Sequence, residues 1–164
     1  MTLGGYDASR FVPNDVSFNF APTEKRQLVV GLQSISYSSS KSETPLLSEG
    51  TLAVVDSTVP YLWLPQTACQ AFEKAFGISQ DPISNLYLVN DTLHETLLKQ
   101  NASVVFQLAN GPTGGPSVNI TLPYASFDLE ADYPLVKKRS KYFPLQRAND
   151  DSDITLGRVF FQEA

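Results

Sequence analysis

The chain has 164 residues, 42% of them apolar and 18% charged, with 12 basic against 17 acidic side chains, one histidine and a net charge of −5. That length bounds it to one domain or one lobe of a larger protein, able to bury ~70% of its unfolded surface around a single core. The composition argues against disorder throughout, the acidic balance argues against a nucleic-acid surface, and no apolar run approaches the ~20 residues that span a bilayer.

Turn residues, among them 9 Gly and 11 Pro, punctuate short runs rich in Val, Ile, Leu, Phe and Tyr. Such runs predict strands. Met1 sits directly against a strand-like segment and reads as an added start on an excised piece; the first residues do not read as a basic-then-apolar leader. The first clear strand is Gln27–Tyr37. Its Leu28, Val30, Leu32 and Ile35 do not alternate cleanly, so both faces are expected to be partly covered. Ser38–Thr44 is polar and Ser-rich and reads as a loop. Gly50–Val55 and Tyr61–Leu64 read as strands.

Thr67-Ala68-Cys69-Gln70 has capping-box spacing and predicts a helix capped by Thr67. Ala68, Phe72, Ala75 and Phe76 would share one face, with Lys74 in the last turn and Gly77 as the left-handed stop. Thr92-Leu93-His94-Glu95 repeats the spacing and predicts a second, short helix with Leu93 and Leu97 on one face. Strands at Ser103–Leu108 and Ser117–Leu122 follow. The stretch Asn110-Gly111-Pro112-Thr113-Gly114-Gly115-Pro116 joins them as a hairpin connection. It lacks a following Lys-Ser/Thr and helix, so it is no phosphate cradle. Asp132–Lys141 reads as a loop, and Tyr142–Leu145 as a last strand. No internal repeat or domain boundary is visible. The expectation is an all-β domain with two short helices.

Asn90-Asp91-Thr92, Asn101-Ala102-Ser103 and Asn119-Ile120-Thr121 are acceptor sequons for N-glycosylation. Their clustering points to a secretory route; the plain alternative is chance in an Asn/Ser/Thr-rich region. The single cysteine, Cys69, can form no internal disulfide and no zinc site. On the apolar side of the first helix it reads as a buried structural thiol, the alternative being a disulfide to a segment outside this chain. His94 has no partner constellation and reads as a surface or capping residue. Lys137, Lys138, Arg139 and Lys141 read as a solvated loop, with a dibasic processing site at Lys138-Arg139 or an anionic partner as alternatives. In Leu52-Ala53-Val54-Val55-Asp56-Ser57-Thr58, an Asp ends a strongly apolar run. Buried without donors it would be costly, and Ser57 or turn amides are the candidate donors; an ordinary strand-ending turn is the plain reading.

Four motifs in order converge on one family. Gly4-Gly5-Tyr6-Asp7, Val54-Val55-Asp56-Ser57, Leu62-Trp63-Leu64-Pro65 and Leu156-Gly157-Arg158-Val159-Phe160 together resemble the C-terminal lobe of a pepsin-like aspartic protease, over nearly the whole chain. The resemblance is nearest to fungal members that keep Asp-Ser-Thr-x-Pro-Tyr in this loop, many of them cell-surface proteins with a membrane anchor beyond the protease-like region. It implies an all-β single lobe of a bilobal acid protease over residues 1–164, with the N-terminal lobe absent, and a Leu-Gly pair that threads across the catalytic loop.

The resemblance places Asp56 at the catalytic position, with Ser57 and Thr58 at the motif's next two positions. In such enzymes two Asp residues, one per lobe, flank a shared water and hold one proton between them. No second Asp-Thr/Ser-Gly-Thr/Ser is present, so the chain is half an active site. Thr58 stands where the family has Gly, whose freedom lets the backbone approach the carboxylate. Val59 stands where a hydroxyl donates to the carboxylate, which should leave Asp56 less stabilised as an anion. Arg158 replaces the acid after Leu-Gly.

The resemblance therefore implies a lobe of a fungal secreted or cell-surface protein without peptidase activity on its own, whose parent is a pseudoprotease binding peptide or protein ligands. The alternatives are half of a working acid endopeptidase, a symmetric homodimer with one Asp56 per chain (no flap is evident), and a non-catalytic surface binding module. No cofactor or metal is implied, and no nucleic-acid partner. The face around Asp56, with Val59, Tyr61 and Leu62, would pack on the missing lobe and is expected to be partly uncovered, favouring self-association. The end at Phe161-Gln162-Glu163-Ala164, where relatives continue into another strand, is expected to leave an unpaired edge.

Overall fold

The computed structural model describes residues 12–20, 28–39 and 42–162. Gly4-Gly5-Tyr6-Asp7, Gln27, Glu163 and Ala164 lie outside the described residues.

The first strand, β1 (Val29–Ser39), is the longest and the spine of the larger sheet. Its irregular apolar pattern has a physical cause. The register against a later strand shifts between Leu32 and Ser34, and this irregularity lets Leu32 and Ile35, three positions apart, both become buried. The extra residue, Gln33, turns its carboxamide onto the carbonyls of Gly111 and Gly114, at 3.2 and 2.6 Å. Ser38–Thr44 is not a free loop: β1 runs to Ser39 and pairs with β2 (Ser42–Pro45), Ser38 opposite Glu43 and Tyr37 opposite Thr44. The polarity of this ribbon conceals its strands.

β3 (Thr51–Val55) and β4 (Leu62–Leu64) fall where expected. Helix α1 spans Gln66–Phe76, and Thr67 lies inside it. The predicted Thr67 cap is therefore incorrect. Pro65 takes the cap position without a side-chain bond, and its carbonyl opens the ladder by accepting from the Cys69 amide at 3.0 Å. Ala68, Cys69, Phe72 and Phe76 are buried, and Gly77 ends the helix at φ 68°, a conformation that costs glycine little.

After β5 (Ser79–Gln80) and β6 (Tyr87–Val89) comes α2, Asp91–Gln100. Its cap is Asn90, not Thr92: the Asn90 Oδ1 accepts from the Leu93 amide at 2.9 Å. Leu97 is buried beneath it and Leu93 packs on the core. β7 (Ser103–Ala109) and β8 (Ser117–Pro123) pair as the predicted hairpin. β9 (Leu129–Ala131) precedes the basic segment.

The expected strand Tyr142–Leu145 is two strands. Pro144 lacks an amide hydrogen and ends one ladder. β10 (Ser140–Phe143) pairs with β6 and β9, whereas β11 (Leu145–Arg147) lies parallel to β4. β12 (Thr155–Leu156) completes the fold. Among the described residues, the larger sheet has eight strands in the order β11-β4-β12-β3-β1-β7-β8, with β2 on β1, and the smaller has four, β5-β6-β10-β9.

The core between sheets and α1 is aromatic. Phe127 and Phe143 stack at 4.6 Å, and Phe76 meets Phe143 at 4.9 Å and Tyr37 edge-on at 5.1 Å. Each such side chain contributes about 1.5–3 kcal/mol by leaving water. A smaller cluster, Leu86, Ala131 and Val136, has Tyr61, Leu88 and Tyr142 against it.

Candidate functional site

Asp56 follows directly on β3. Its amide donates to the Leu156 carbonyl at 3.1 Å, and two residues earlier the Val54 amide donates to Ile154 at 2.9 Å. These bonds belong to a parallel pairing of β12 with β3, Leu156 opposite Val55. The other edge of β12 pairs antiparallel with β4, Leu156 opposite Leu62. A two-residue strand is thus inserted between the strands that flank the Asp56 turn. Beyond it, the Arg158 amide donates to the Val59 carbonyl at 2.6 Å. Gly157 lies at the crossing, where a Cβ would stand 2.1 Å from the Tyr61 carbonyl oxygen and 2.5 Å from that of Val59. Only a residue without a side chain fits there.

The Asp56 carboxylate is half-exposed, and Ser57 and Thr58 are exposed. Its Oδ1 accepts two bonds from one residue, from the Thr58 hydroxyl at 2.7 Å and the Thr58 amide at 2.8 Å. These two bonds, the hydroxyl first, hold its pKa below the ordinary carboxylate value. The expectation that Val59 deprives the anion of a hydroxyl donor is therefore corrected, because Thr58 supplies one. Thr58 also needs no glycine-like backbone: among the described residues, the non-glycine positions at positive φ are Asn85 and Asn101.

Alternation along three strands builds a cavity beside the carboxylate. Ala53, Leu62, Leu64, Ile154 and Leu156 face the core. The residues between them turn to the other side of the sheet. There Asp56, Val59, Tyr61, Trp63, Asp153 and Thr155 line a space of about 510 Å³. Sequence motifs do not mark Trp63 or Asp153 as site residues; the period of 2 through Tyr61 and Trp63 is the signal that points to this face. Leu62, expected to be partly uncovered near Asp56, is fully buried, while Val59 and Tyr61 are half-buried.

The other singled-out residues lie elsewhere. Asn90, Asn101 and Asn119 are exposed, at the two caps of α2 and on β8. Cys69 is wholly buried, its thiol directed at the carbonyls of Gln146 and Leu64, and burial pushes its pKa up to about 12. His94 is neither a capping nor a fully exposed residue. Its ring is 18% exposed, with Nδ1 3.4 Å from the Tyr124 hydroxyl and 3.5 Å from Asp128. The basic cluster divides. Lys137 and Lys138 face solvent, Arg139 pairs with Glu130, and Lys141 lies on β10 at 3.3 Å from both Asp128 and Glu130. Among the described residues, no group of three or more His, Cys, Asp or Glu side chains is placed to hold a metal ion, and no helix is long and apolar enough to cross a membrane.

Comparison with protein-family models and with curated proteins finds no match. Among solved structures, the aspartic proteinase from Irpex lacteus is similar, with a TM-score of 0.65 and 17% sequence identity over 97% of this chain. The fold is that of a pepsin-like aspartic proteinase. The mostly-β architecture with two helices matches a single lobe, and the chain spans 45% of the length of that structure.

Proposed function

We propose that this chain is the C-terminal lobe of a pepsin-like protein of a fungal secretory or cell-surface pathway, and that it supplies one carboxylate, Asp56, to a cleft completed by a second lobe. The observation that carries the reading is the crossing of Leu156-Gly157 over the Asp56 turn, fixed by the Asp56–Leu156 and Val59–Arg158 bonds. The family's chemistry requires two carboxylates close enough to share a proton, one taking a proton from water while the other donates to the substrate carbonyl. A lone carboxylate held ionised can accept a proton but has no partner to donate one to the substrate carbonyl. The chain alone therefore lacks peptidase activity; Arg158, which stands where the family has an acid, favours a parent that is a pseudoprotease retaining a peptide-binding cleft.

A second reading is favoured by one observation. Thr58 stabilises Asp56 as an anion, which is the state a proton-accepting half of a dyad needs. On that reading the parent is an acid endopeptidase. Restoring the parent's N-terminal lobe decides between them. The pseudoprotease reading predicts saturable peptide binding with no cleavage at acid pH. Turnover that Asp56→Asn abolishes would replace it with the second reading. Failure of both binding and turnover would remove the cleft assignment.

A further inference from the structure

We propose that Asn119 carries an N-linked glycan and that this glycan guards an open edge of the larger sheet; the inference rests on the secretory reading above. β8 is the terminal strand of that sheet, bonded to β7 on one side, with no strand on its other side among the described residues. It is seven residues long, Ser-Val-Asn-Ile-Thr-Leu-Pro. An edge of that length is normally blunted by charge, by an internal proline or by a bulge. β8 carries no charged residue, its proline is the last position, and its pairing with β7 runs in unbroken register from Ser117 to Pro123. Val, Ile and Thr give it strong β-propensity. Such a segment is a template for pairing with a second copy.

The sequon supplies the missing device. Along a strand, residues two apart share a face, and Asn119 and Thr121 are both exposed, whereas Leu122 is buried and Val118 and Ile120 are half-buried. The acceptor amide and the hydroxyl thus stand side by side, directed away from the core. Asn119 differs from the other two acceptors. It stands in the middle of the edge strand β8, whereas Asn90 and Asn101 are the two caps of α2. In the transfer, the Asn119 side-chain nitrogen forms a bond to the anomeric carbon of a lipid-linked oligosaccharide. The bond from that carbon to the pyrophosphate oxygen breaks, the lipid pyrophosphate leaves with the electron pair, and the amide nitrogen gives up one proton. The bulky, hydrated product then occupies the space that a partner strand needs.

The test is expression of the full chain behind a secretory leader in a eukaryotic cell, with glycopeptide mass spectrometry and sedimentation velocity. Asn119 is expected to be occupied, and the glycosylated chain to sediment mainly as a monomer. Thr121→Ala, which keeps the asparagine and removes the signal, is expected to raise the oligomeric fraction several-fold. Asn119→Lys, which restores protection by charge, is expected to return it to the glycosylated level. A bare Asn119, whatever Asn90 and Asn101 carry, overturns the proposal. So does a Thr121→Ala variant that sediments like the glycosylated chain. None of these readouts involves cleavage or peptide binding, so their failure leaves the lobe assignment standing. The leader forces passage through the pathway, and fractionation of the natural host reads the protein's own location separately.

Discussion

Asp56 and Leu156 are joined by one backbone hydrogen bond, amide to carbonyl at 3.1 Å, although both helices and the whole smaller sheet lie between them in sequence. The bond places the Asp56 carboxylate at the seam between two strands rather than at the end of a free turn. The turn is consequently rigid: its first residue is held by β12 and its last, Val59, accepts from Arg158.

Gly157 is the point where that seam admits no side chain. Gly157→Ala would drive a methyl group to 2.1 Å from a backbone oxygen of Tyr61, and neither strand can yield alone. We expect a loss of about 3 kcal/mol, at the upper end for overpacking. Urea denaturation measures it. A shift smaller than about 0.5 kcal/mol, the scatter of ordinary surface changes, would mean that the crossing is loose.

Thr58→Val keeps the amide bond to Asp56 and removes the hydroxyl bond. The Asp56 pKa should then rise toward the ordinary aspartate value of ~3.9, because the larger of the two lowering causes is gone. The sign for stability follows. A carboxylate whose folded pKa is depressed contributes stability above its unfolded pKa and loses it as pH falls through the folded value. The variant should lose that contribution at a higher pH than the parent. Carbon-detected NMR titration of Asp56 reads the shift; an unchanged midpoint would show that the hydroxyl does not bind the carboxylate in solution.

Phe143 touches Phe72, Phe76 and Phe127 and is fully buried. Phe143→Ala leaves a cavity between α1 and the smaller sheet and should cost about 3–5 kcal/mol. The same substitution at exposed Phe20 should cost less than about 0.5 kcal/mol. Equal effects at the two positions in thermal or urea unfolding would place the aromatic core wrongly.

Cys69 should be inert in the folded chain. Burial raises its pKa to about 12, so almost no thiolate exists at neutral pH. An aromatic disulfide reagent should release one equivalent of thiol only after denaturant is added. Rapid stoichiometric reaction of the native chain would contradict the packing of α1 on β4 and β11.

Much of this fold is legible in the sequence because apolar periodicity and punctuation agree. The strands expected at Gly50–Val55, Ser103–Leu108 and Ser117–Leu122, and the described part of the one expected from Gln27 to Tyr37, overlap observed strands, and Gly77 stops α1 as its type predicts. Other features were legible but outweighed. Asn90 is a better cap than Thr92, and Pro144 is a visible break in the Tyr142–Leu145 run. The rest depends on tertiary contacts. Thr155–Leu156 is too short to show a period and becomes a strand only between β3 and β4. At the site, Asp56 and the Leu156-Gly157 pair were readable through family resemblance, but the role of Thr58 was not. A residue that departs from the expected glycine gave no hint that its own hydroxyl would bind the carboxylate.

On the proposed reading, the chain holds one half of a two-carboxylate site. Turnover of a denatured protein substrate by the purified chain at acid pH tests it most directly. No cleavage above buffer is expected, with the native chain and Asp56→Asn indistinguishable. Pepstatin-sensitive cleavage by the native chain that disappears in Asp56→Asn would contradict it.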